Sequence, residues 1–177
     1  MFSWFRTPHL VVIAVLALSG CSSDIKQYQG SEPKLVLEQF FNGKLRGYGM
    51  VSDFSDDIQR KFVVDIEARW ENDIGTLDEY FIFDDGEKQF RQWIITKQSE
   101  NTYQGKADDV VGIAEGTQAG SVLKWQYTLA LKMDESTINV NFDDTMVLID
   151  QNHMLNVAKI YKFGLHVGTV TLSFEKL

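Results

Sequence analysis

From residue 43 onward, apolar and polar residues alternate along most of the chain. In the segment QRKFVVDIEARW, residues 59–70, every second side chain is apolar, namely Phe62, Val64, Ile66, Ala68 and Trp70. Successive side chains of a β-strand point to opposite faces, so this spacing predicts a strand with one buried face. The pattern recurs in residues 43–54, 75–85, 87–97, 101–108, 121–132, 136–149, 153–163 and 165–176.

Short polar links separate these segments. Asp85-Gly86 is a strong turn signal, because glycine accepts the positive φ that tight hairpins need. Links of a few residues join antiparallel neighbours, whereas parallel strands need a long crossover. About nine strands of roughly ten residues make a flat sheet curl, and closure removes its exposed edges. We therefore predict an all-β fold, an antiparallel up-and-down lipocalin-like barrel or strongly coiled meander of about nine to ten strands, with a flattened sandwich as the alternative.

The segment before the strands has a different pattern. Residues 33–41, PKLVLEQFF, predict one short N-terminal helix with an apolar side, and Gly43 could end it. Such a short helix needs a sheet to pack against, so we expect it at one end of the barrel. Residues 33–177 are then expected to form a single β-barrel domain, because a chain of this length suits one core.

The first 20 residues have the layout of a lipoprotein signal peptide. Arg6 precedes an apolar run, Leu10 to Leu18, that is too short to span a bilayer and is followed by small residues. Residues 18–21, Leu-Ser-Gly-Cys, resemble a bacterial lipobox. This implies cleavage after residue 20, lipid attachment to Cys21 and a lipidated tether over residues 21–32. An ordinary secretory signal is the alternative. By resemblance to enteric lipoproteins, Ser22 implies the outer membrane, with the protein on its periplasmic face.

The charge limits the expected partners. The net charge is −8, and Arg6 is the only charged side chain in residues 1–20, so the processed chain would be one unit more negative. An acidic surface without a basic stripe repels phosphate groups, so we expect no nucleic acid and a membrane contact only through lipid. Cys21 is the single cysteine, which excludes an internal disulfide. His153 and His166 have no third ligand, so we expect no metal and no other cofactor.

Five phrases of the chain resemble a known family. They are FFNGKLRGYGMVSDF, FVVDIEARW, LDEYFIFDDGE, ADDVVGIAEG and KFGLHVGTVTL, in this order within residues 33–177. They are similar to a family of proteobacterial lipoproteins known only as domain of unknown function 3833. The resemblance implies a lipoprotein and a barrel, and it implies no activity. Ala68 departs from the family pattern, in which glycine is expected.

Charged and aromatic side chains inside the predicted strands are the candidate site. One face of each strand points into a barrel, so charged residues on that face would form a paired polar network in a ligand pocket. The alternative is the solvated outer face, where Lys, Glu and Arg are usual. One of the adjacent residues Asp143 and Asp144 should face inward. The candidates are Glu67, Arg69, Glu79, Arg91, Trp93, Trp125, Tyr127, Asp143, Asp144 and Lys159.

Nothing in the sequence identifies a reaction. We find no nucleophile beside a plausible base, and acidic doublets such as Asp108-Asp109 suit turns. An enzyme acting through paired carboxylates is therefore the least favoured class. The favoured hypothesis is an outer-membrane-anchored periplasmic lipoprotein that binds a small apolar or lipid-like ligand. The alternative is a structural or accessory envelope protein that acts through a protein partner and has no ligand pocket.

Overall fold

In a computed structural model of the protein, which describes residues 24–132 and 136–177, the chain forms a closed barrel of antiparallel strands. Each strand pairs with the next along the chain, and the last pairs with the first from Leu45 opposite Lys176 to Asp53 opposite Gly168. The predicted up-and-down lipocalin-like barrel is confirmed. Its ten strands are β1 Gly43–Asp53, β2 Ile58–Glu71, β3 Ile74–Phe83, β4 Lys88–Ser99, β5 Thr102–Lys106, β6 Val110–Ala119, β7 Val122–Lys132, β8 Thr137–Leu148, β9 His153–Lys162 and β10 Leu165–Lys176.

The strand β6 lies between residues 108 and 121, where the hydrophobic pattern predicts no strand. Its buried positions hold Ala114, Gly116 and Gln118, which alternate with exposed residues. The alternation is therefore present, but small and polar side chains stand where the other strands have large apolar ones. A pattern search that counts large apolar residues passes over such a strand.

The helix predicted over residues 33–41 is wrong in extent, because only Leu37–Phe40 form a helical turn, α1. The residues before it are extended and bond to the end of β6 and the turn after it. Leu35 N donates to Gly120 O at 2.9 Å, and Gln118 Nε2 donates to Leu35 O at 2.6 Å. The expected packing at one end of the barrel is present, and the buried side chains that close this end are Leu35, Leu37, Phe40 and Phe41.

Four strands hold α1 in place through polar contacts. One of them is β10, whose Lys176 Nζ donates to Gln39 O at 2.6 Å and to Phe40 O at 3.0 Å. Glu38 of α1 forms an ion pair with Lys97 of β4 and accepts a hydrogen bond from the Tyr103 hydroxyl of β5 at 2.7 Å. Trp70 Nε1 of β2 donates to Phe41 O at 2.8 Å. Burial acts to raise the pKa of Glu38, but the hydrogen bonds from Lys97 and Tyr103 hold it below its usual value. The segment from Leu35 to Phe41 closes this end of the barrel, and we call it the plug. It is therefore held in place by a charged group as well as by apolar contacts.

The described part of the predicted tether contacts this closed end of the barrel. Ile25–Tyr28 form one turn of 3-10 helix, and Ser31 Oγ lies 2.9 Å from Ser121 Oγ in the β6–β7 turn. The predicted signal peptide, residues 1–20, and the predicted lipid site, Cys21, lie outside the described residues. Among the helices of residues 24–132 and 136–177, none has the length and apolar character needed to cross a bilayer.

Candidate functional site

A cavity of about 760 Å³ occupies the interior of the barrel. Leu37 and Phe41 form its floor at the closed end. Arg60 of β2, Lys132 of β7 and Lys162 of β9 line it near the opposite end, which we call the mouth. Pockets for small molecules have volumes of roughly 300–1,000 Å³. The barrel interior therefore has room for one small ligand.

Aromatic rings form much of the cavity wall. The ring of Trp93 lies edge-on to that of Trp125, with centroids 5.8 Å apart, and edge-on to that of Tyr127 at 5.4 Å. Trp125 of β7 reaches Trp93 of β4 because Gly105 and Gly116 lie beneath its ring, where an added Cβ would be 2.4 Å from a ring carbon. Besides Phe41 at the floor, the other aromatic rings that line the cavity are Phe62, Phe81, Phe83, Phe90, Phe142 and Phe174.

A charged group interrupts this apolar wall. Glu79 of β3 and Arg91 of β4 are cross-strand neighbours and both line the cavity. Arg91 Nη2 and Nε donate to Asp109 Oδ2 at 2.6 Å and 3.0 Å. Asp109 lies between β5 and β6, and the pairing of β4 with β5 runs only from Ile94 to Ser99. The Arg91–Asp109 pair therefore bridges the barrel wall at the point where β5 has ended. Glu79 makes no hydrogen bond to any described residue.

A second polar group lies on the β8–β9 side. Asp144 and Asn156 are buried, with 4% and 5% of their surface exposed, and both line the cavity. Asn156 Nδ2 donates to Asp144 Oδ2 at 3.3 Å. Asp144 Oδ1 and Asn156 Oδ1 are buried and have no hydrogen-bond partner among the described residues. Acceptors therefore outnumber donors in this part of the wall.

Burial changes the protonation of these groups. Burial raises the pKa of Glu79 to about 7, since desolvation outweighs the attraction of Arg91. Burial also raises the pKa of Asp144 to about 7, because the hydrogen bond from Asn156 offsets it only in part. Desolvation likewise holds the pKa of the Tyr127 hydroxyl well above its usual value. Glu79 and Asp144 are thus poised to gain or lose a proton near neutral pH.

Four of the predicted interior residues lie on the outer surface of the barrel, so their assignment to the cavity is wrong. Glu67 and Arg69 occupy the exposed face of β2, where Arg69 Nη1 bonds to Asp78 Oδ2 at 2.9 Å. Asp143 and Lys159 are cross-strand partners on the outer faces of β8 and β9. In each strand these charges alternate with buried residues, and the outer position spares Glu67, Arg69 and Lys159 the cost of desolvation, whereas Asp143 is half-buried.

The other six predicted residues face the cavity, and they are Glu79, Arg91, Trp93, Trp125, Tyr127 and Asp144. The sequence analysis missed Asp109, which it assigned to a turn, and Asn156. Asn156 could have been found, because it falls between Met154 and Ala158 on an otherwise apolar face. Asp109 follows a short strand and carries no comparable signal. Residues 24–132 and 136–177 contain no group of three or more acidic, His or Cys side chains placed to hold a metal ion.

Comparison with known proteins bears on the fold and the family. The structure of the S-type phycobiliprotein lyase CPES from Guillardia theta is similar, with a TM-score of 0.57 over 80% of this chain and 92% of that chain. The two sequences are 13% identical, so the likeness shows the fold alone. No curated protein matches the chain. A sequence model of the family described as protein of unknown function (DUF3833) matches residues 15–176. The chain therefore belongs to the DUF3833 family, as the resemblance of its five phrases implied.

Proposed function

We propose that this protein is an outer-membrane lipoprotein on the periplasmic face that holds one small apolar or lipid-like ligand inside its barrel. The observation that carries the proposal is the cavity of about 760 Å³ with its largely aromatic and aliphatic wall. Closed barrels of about this size hold one small ligand in lipocalins. An apolar pocket with few polar groups is the usual form of such a site.

The similar structure supports the proposal only through its fold. That protein is named a phycobiliprotein lyase, and a lipocalin-like barrel in such a protein is compatible with a ligand-holding barrel here. No lyase activity is inferred for this chain. The alternative hypothesis was an accessory protein that acts through a protein partner and has no ligand pocket. The cavity counts against that hypothesis.

An enzyme that uses Asp143 and Asp144 as a catalytic pair is disfavoured. The two side chains lie on opposite faces of β8, with Asp144 in the cavity and Asp143 in an outer cleft. Two carboxyl groups separated by the barrel wall have no common substrate position. The cavity is therefore interpreted as a binding site rather than as the site of paired acid and base catalysis.

The ligand hypothesis is tested by filling the cavity. Ala158 of β9 is buried and lines it, whereas its neighbour Lys159 is exposed on the outer face. We expect N-phenyl-1-naphthylamine to become fluorescent in the purified protein. Ala158→Phe should weaken its binding at least tenfold, and Lys159→Phe should leave binding unchanged. Equal binding by the two variants, with both shown to be folded by thermal unfolding, would contradict the hypothesis.

The proposed outer-membrane location rests on residues 18–21 and on Ser22, and it is tested separately. Acylated Cys21 should keep the protein with outer-membrane fractions, because several buried lipid chains hold a protein where one does not. Cys21→Ser should shift it to the soluble periplasmic fraction, and Ser22→Ala is the matched control that should remain with the membrane. A Cys21→Ser protein that sediments with the outer membrane like the parent would refute the lipid anchor.

A further inference from the structure

Between its floor and its mouth, the cavity wall holds more negative than positive groups. Three carboxyl side chains line this part, those of Glu79, Asp109 and Asp144, together with the guanidinium of Arg91, whereas Arg60, Lys132 and Lys162 line the mouth. Arg91 directs two of its donors to Asp109. Asp109 therefore has the only full ion pair in this group, and Glu79 and Asp144 have no cation of their own.

Arg60, one of the three cations that line the cavity near the mouth, does not neutralise these carboxyl groups. Arg60 stacks on the ring of Phe83, with its guanidinium carbon 3.6 Å from the ring centroid. It also forms salt bridges to Asp85 at 3.0 Å and to Glu87 at 2.7 Å. Its charge is thus used by two acids of the β3–β4 turn, away from Glu79 and Asp144.

Glu79 is the carboxyl group that a ligand could bind without displacing a partner from the protein. Its side chain is half-buried, it lines the cavity, and it has no hydrogen bond or salt bridge to a described residue. Asp144, deeper along β8, adds an oxygen without a donor. Buried polar groups are normally hydrogen-bonded, and leaving one without a partner is unfavourable. The missing partner is a hydrogen-bond donor, and a positively charged donor would satisfy the excess of negative charge as well.

We propose that the ligand carries a protonated amine, whose N–H groups bind Glu79 in the field of Asp144, while its apolar chain lies along the aromatic wall. This inference rests on the proposed ligand-binding function. The aromatic lining favours the same chemistry, because the faces of Trp and Tyr rings attract cations. Trp93 and Tyr127 belong to the same stretch of wall as Arg91 and Glu79.

The rival occupant is a fatty acid whose carboxylate pairs with Arg91. Such a ligand would have to share Arg91 with Asp109 and approach Glu79, and like charges at short range repel. A long-chain alcohol is intermediate, since it donates one hydrogen bond and carries no charge. Three compounds with the same alkyl chain and an amine, an alcohol or a carboxylate head group therefore distinguish these ligand classes.

The test uses dodecylamine, dodecanol and dodecanoate, each below its micelle-forming concentration, as competitors of N-phenyl-1-naphthylamine in the purified protein at pH 8. We expect dodecylamine to bind at least tenfold more tightly than dodecanoate. Glu79→Gln should weaken dodecylamine at least tenfold and leave dodecanol within a factor of two. Glu67→Gln, the same change on the exposed outer face of β2, should affect neither.

The outcomes distinguish the two proposals. If dodecanoate binds as tightly as dodecylamine, or if Glu79→Gln leaves the amine affinity unchanged, the head-group inference fails and the ligand-binding function stands. If none of the three compounds nor the naphthyl probe binds, the ligand-binding function itself fails. Asp144→Asn provides a second variant, with an expected loss of at least threefold for dodecylamine, should Glu79→Gln not fold.

Discussion

Glu79 and Arg91 face each other across the β3–β4 ladder, yet the Arg91 guanidinium bonds to Asp109, with Nη2 2.6 Å from Oδ2. Glu79, the cross-strand neighbour of Arg91, is thus left without a salt bridge, and Arg91 pairs instead with Asp109, which lies outside the strands. Because β5 ends at Lys106, the side of β4 near the mouth lacks a strand partner there. One ion pair therefore both completes the wall and leaves a free carboxyl group in the cavity.

Removing Arg91 should destabilise the protein. Arg91→Met leaves Asp109 and Glu79 without their shared cation, and breaking a fully buried pair costs about 3–5 kcal/mol. This pair is only partly buried, with 23% of the Arg91 side chain and 36% of the Asp109 side chain exposed, so we expect a loss of about 2 kcal/mol in the free energy of unfolding. Arg69→Met, which breaks the exposed pair with Asp78, should cost less than about 1 kcal/mol. Urea unfolding at pH 7 measures both, and similar losses would contradict the role given to Arg91.

Asp144 should make stability fall as pH rises. Its pKa is raised from 3.8 to about 7 by burial, with Glu79 and Asp143 adding to the effect of desolvation and Asn156 and Arg91 opposing it. Well below pH 3.8 the carboxyl is protonated in both the folded and the unfolded chain, so it does not change the free energy of unfolding. Above pH 7 it is ionised in both, and burial of the charge costs roughly 4 kcal/mol at most.

The measurement is the free energy of unfolding at pH 5 and pH 8. Asp144→Asn should remove part of the loss between these values, by roughly 2 kcal/mol or more. Glu67→Gln, on the exposed face of β2, serves as the reference variant. An Asp144→Asn protein that loses as much stability as the parent over this interval would show that Asp144 does not titrate in the folded cavity.

Binding of an amine should depend on pH in the opposite direction. The pKa of Glu79 is raised to about 7 by desolvation, with Arg91 lowering it and Asp109 raising it. Alkylamines stay protonated throughout, since the comparable lysine amine has a pKa of about 10.4. Dodecylamine should therefore bind several-fold more weakly at pH 5.5 than at pH 8, whereas dodecanol should change little. Competition titrations at both values test this, and a pH-independent amine affinity would count against Glu79 as the partner.

Gly116 should be intolerant of a side chain. A Cβ there would lie 2.4 Å from Trp125, and overpacking of this kind costs about 1–3 kcal/mol. The cost of Gly116→Ala should fall when Trp125→Phe removes the outer ring, which a double-mutant cycle reports directly. Thermal unfolding of the four proteins gives the coupling. An equal cost in both backgrounds would mean that the backbone, and not Trp125, demands glycine.

The plug should loosen when its buried hydroxyl is removed. Tyr103 is 2% exposed and donates to Glu38 of α1 at 2.7 Å, and a hydrogen bond to a charged group contributes about 1.5–3 kcal/mol. Tyr103→Phe should lower the free energy of unfolding by about that amount. Tyr80→Phe, at a residue 48% exposed on β3, should stay within about 0.5 kcal/mol of the parent. If the two substitutions prove equally mild, the Glu38 contact does not fasten α1.

The barrel was predictable because most strands place large apolar residues at alternate positions, as β2 does from Phe62 to Trp70. β6 was not predicted because Gly116 leaves room for the ring of Trp125, so a side chain of β7 fills space on the buried face of β6. The helix was overestimated because an apolar segment that plugs a barrel can be extended. Leu35 is buried through contacts with β6 that no local pattern encodes.

The site was predictable in part for a related reason. Alternation required that one of Asp143 and Asp144 face inward, and it is Asp144. Glu67 and Arg69 share the polar face of a strand whose other face is apolar from Phe62 to Trp70, and that contrast favours the solvated side for both. Asp109 depends on the short β5 and on the position of Arg91 two strands away. Such a partner is set by tertiary structure and leaves no trace in the local sequence.

The polypeptide enters the barrel at the plugged end, where Ser31 meets the β6–β7 turn. The 3-10 turn Ile25–Tyr28, which contacts β6 and β7 at this end, begins after Asp24, three residues beyond Cys21. A chain extends at most about 3.5 Å per residue, so an acyl group on Cys21, as proposed, would keep the start of that turn within roughly 10 Å of the lipid. Strands of this length, tilted by about 40°, would set the opening roughly 25 Å farther out. Cargo would then enter and leave on the side turned away from the anchoring leaflet, which suits exchange with the aqueous compartment or another envelope component rather than with the protein's own membrane.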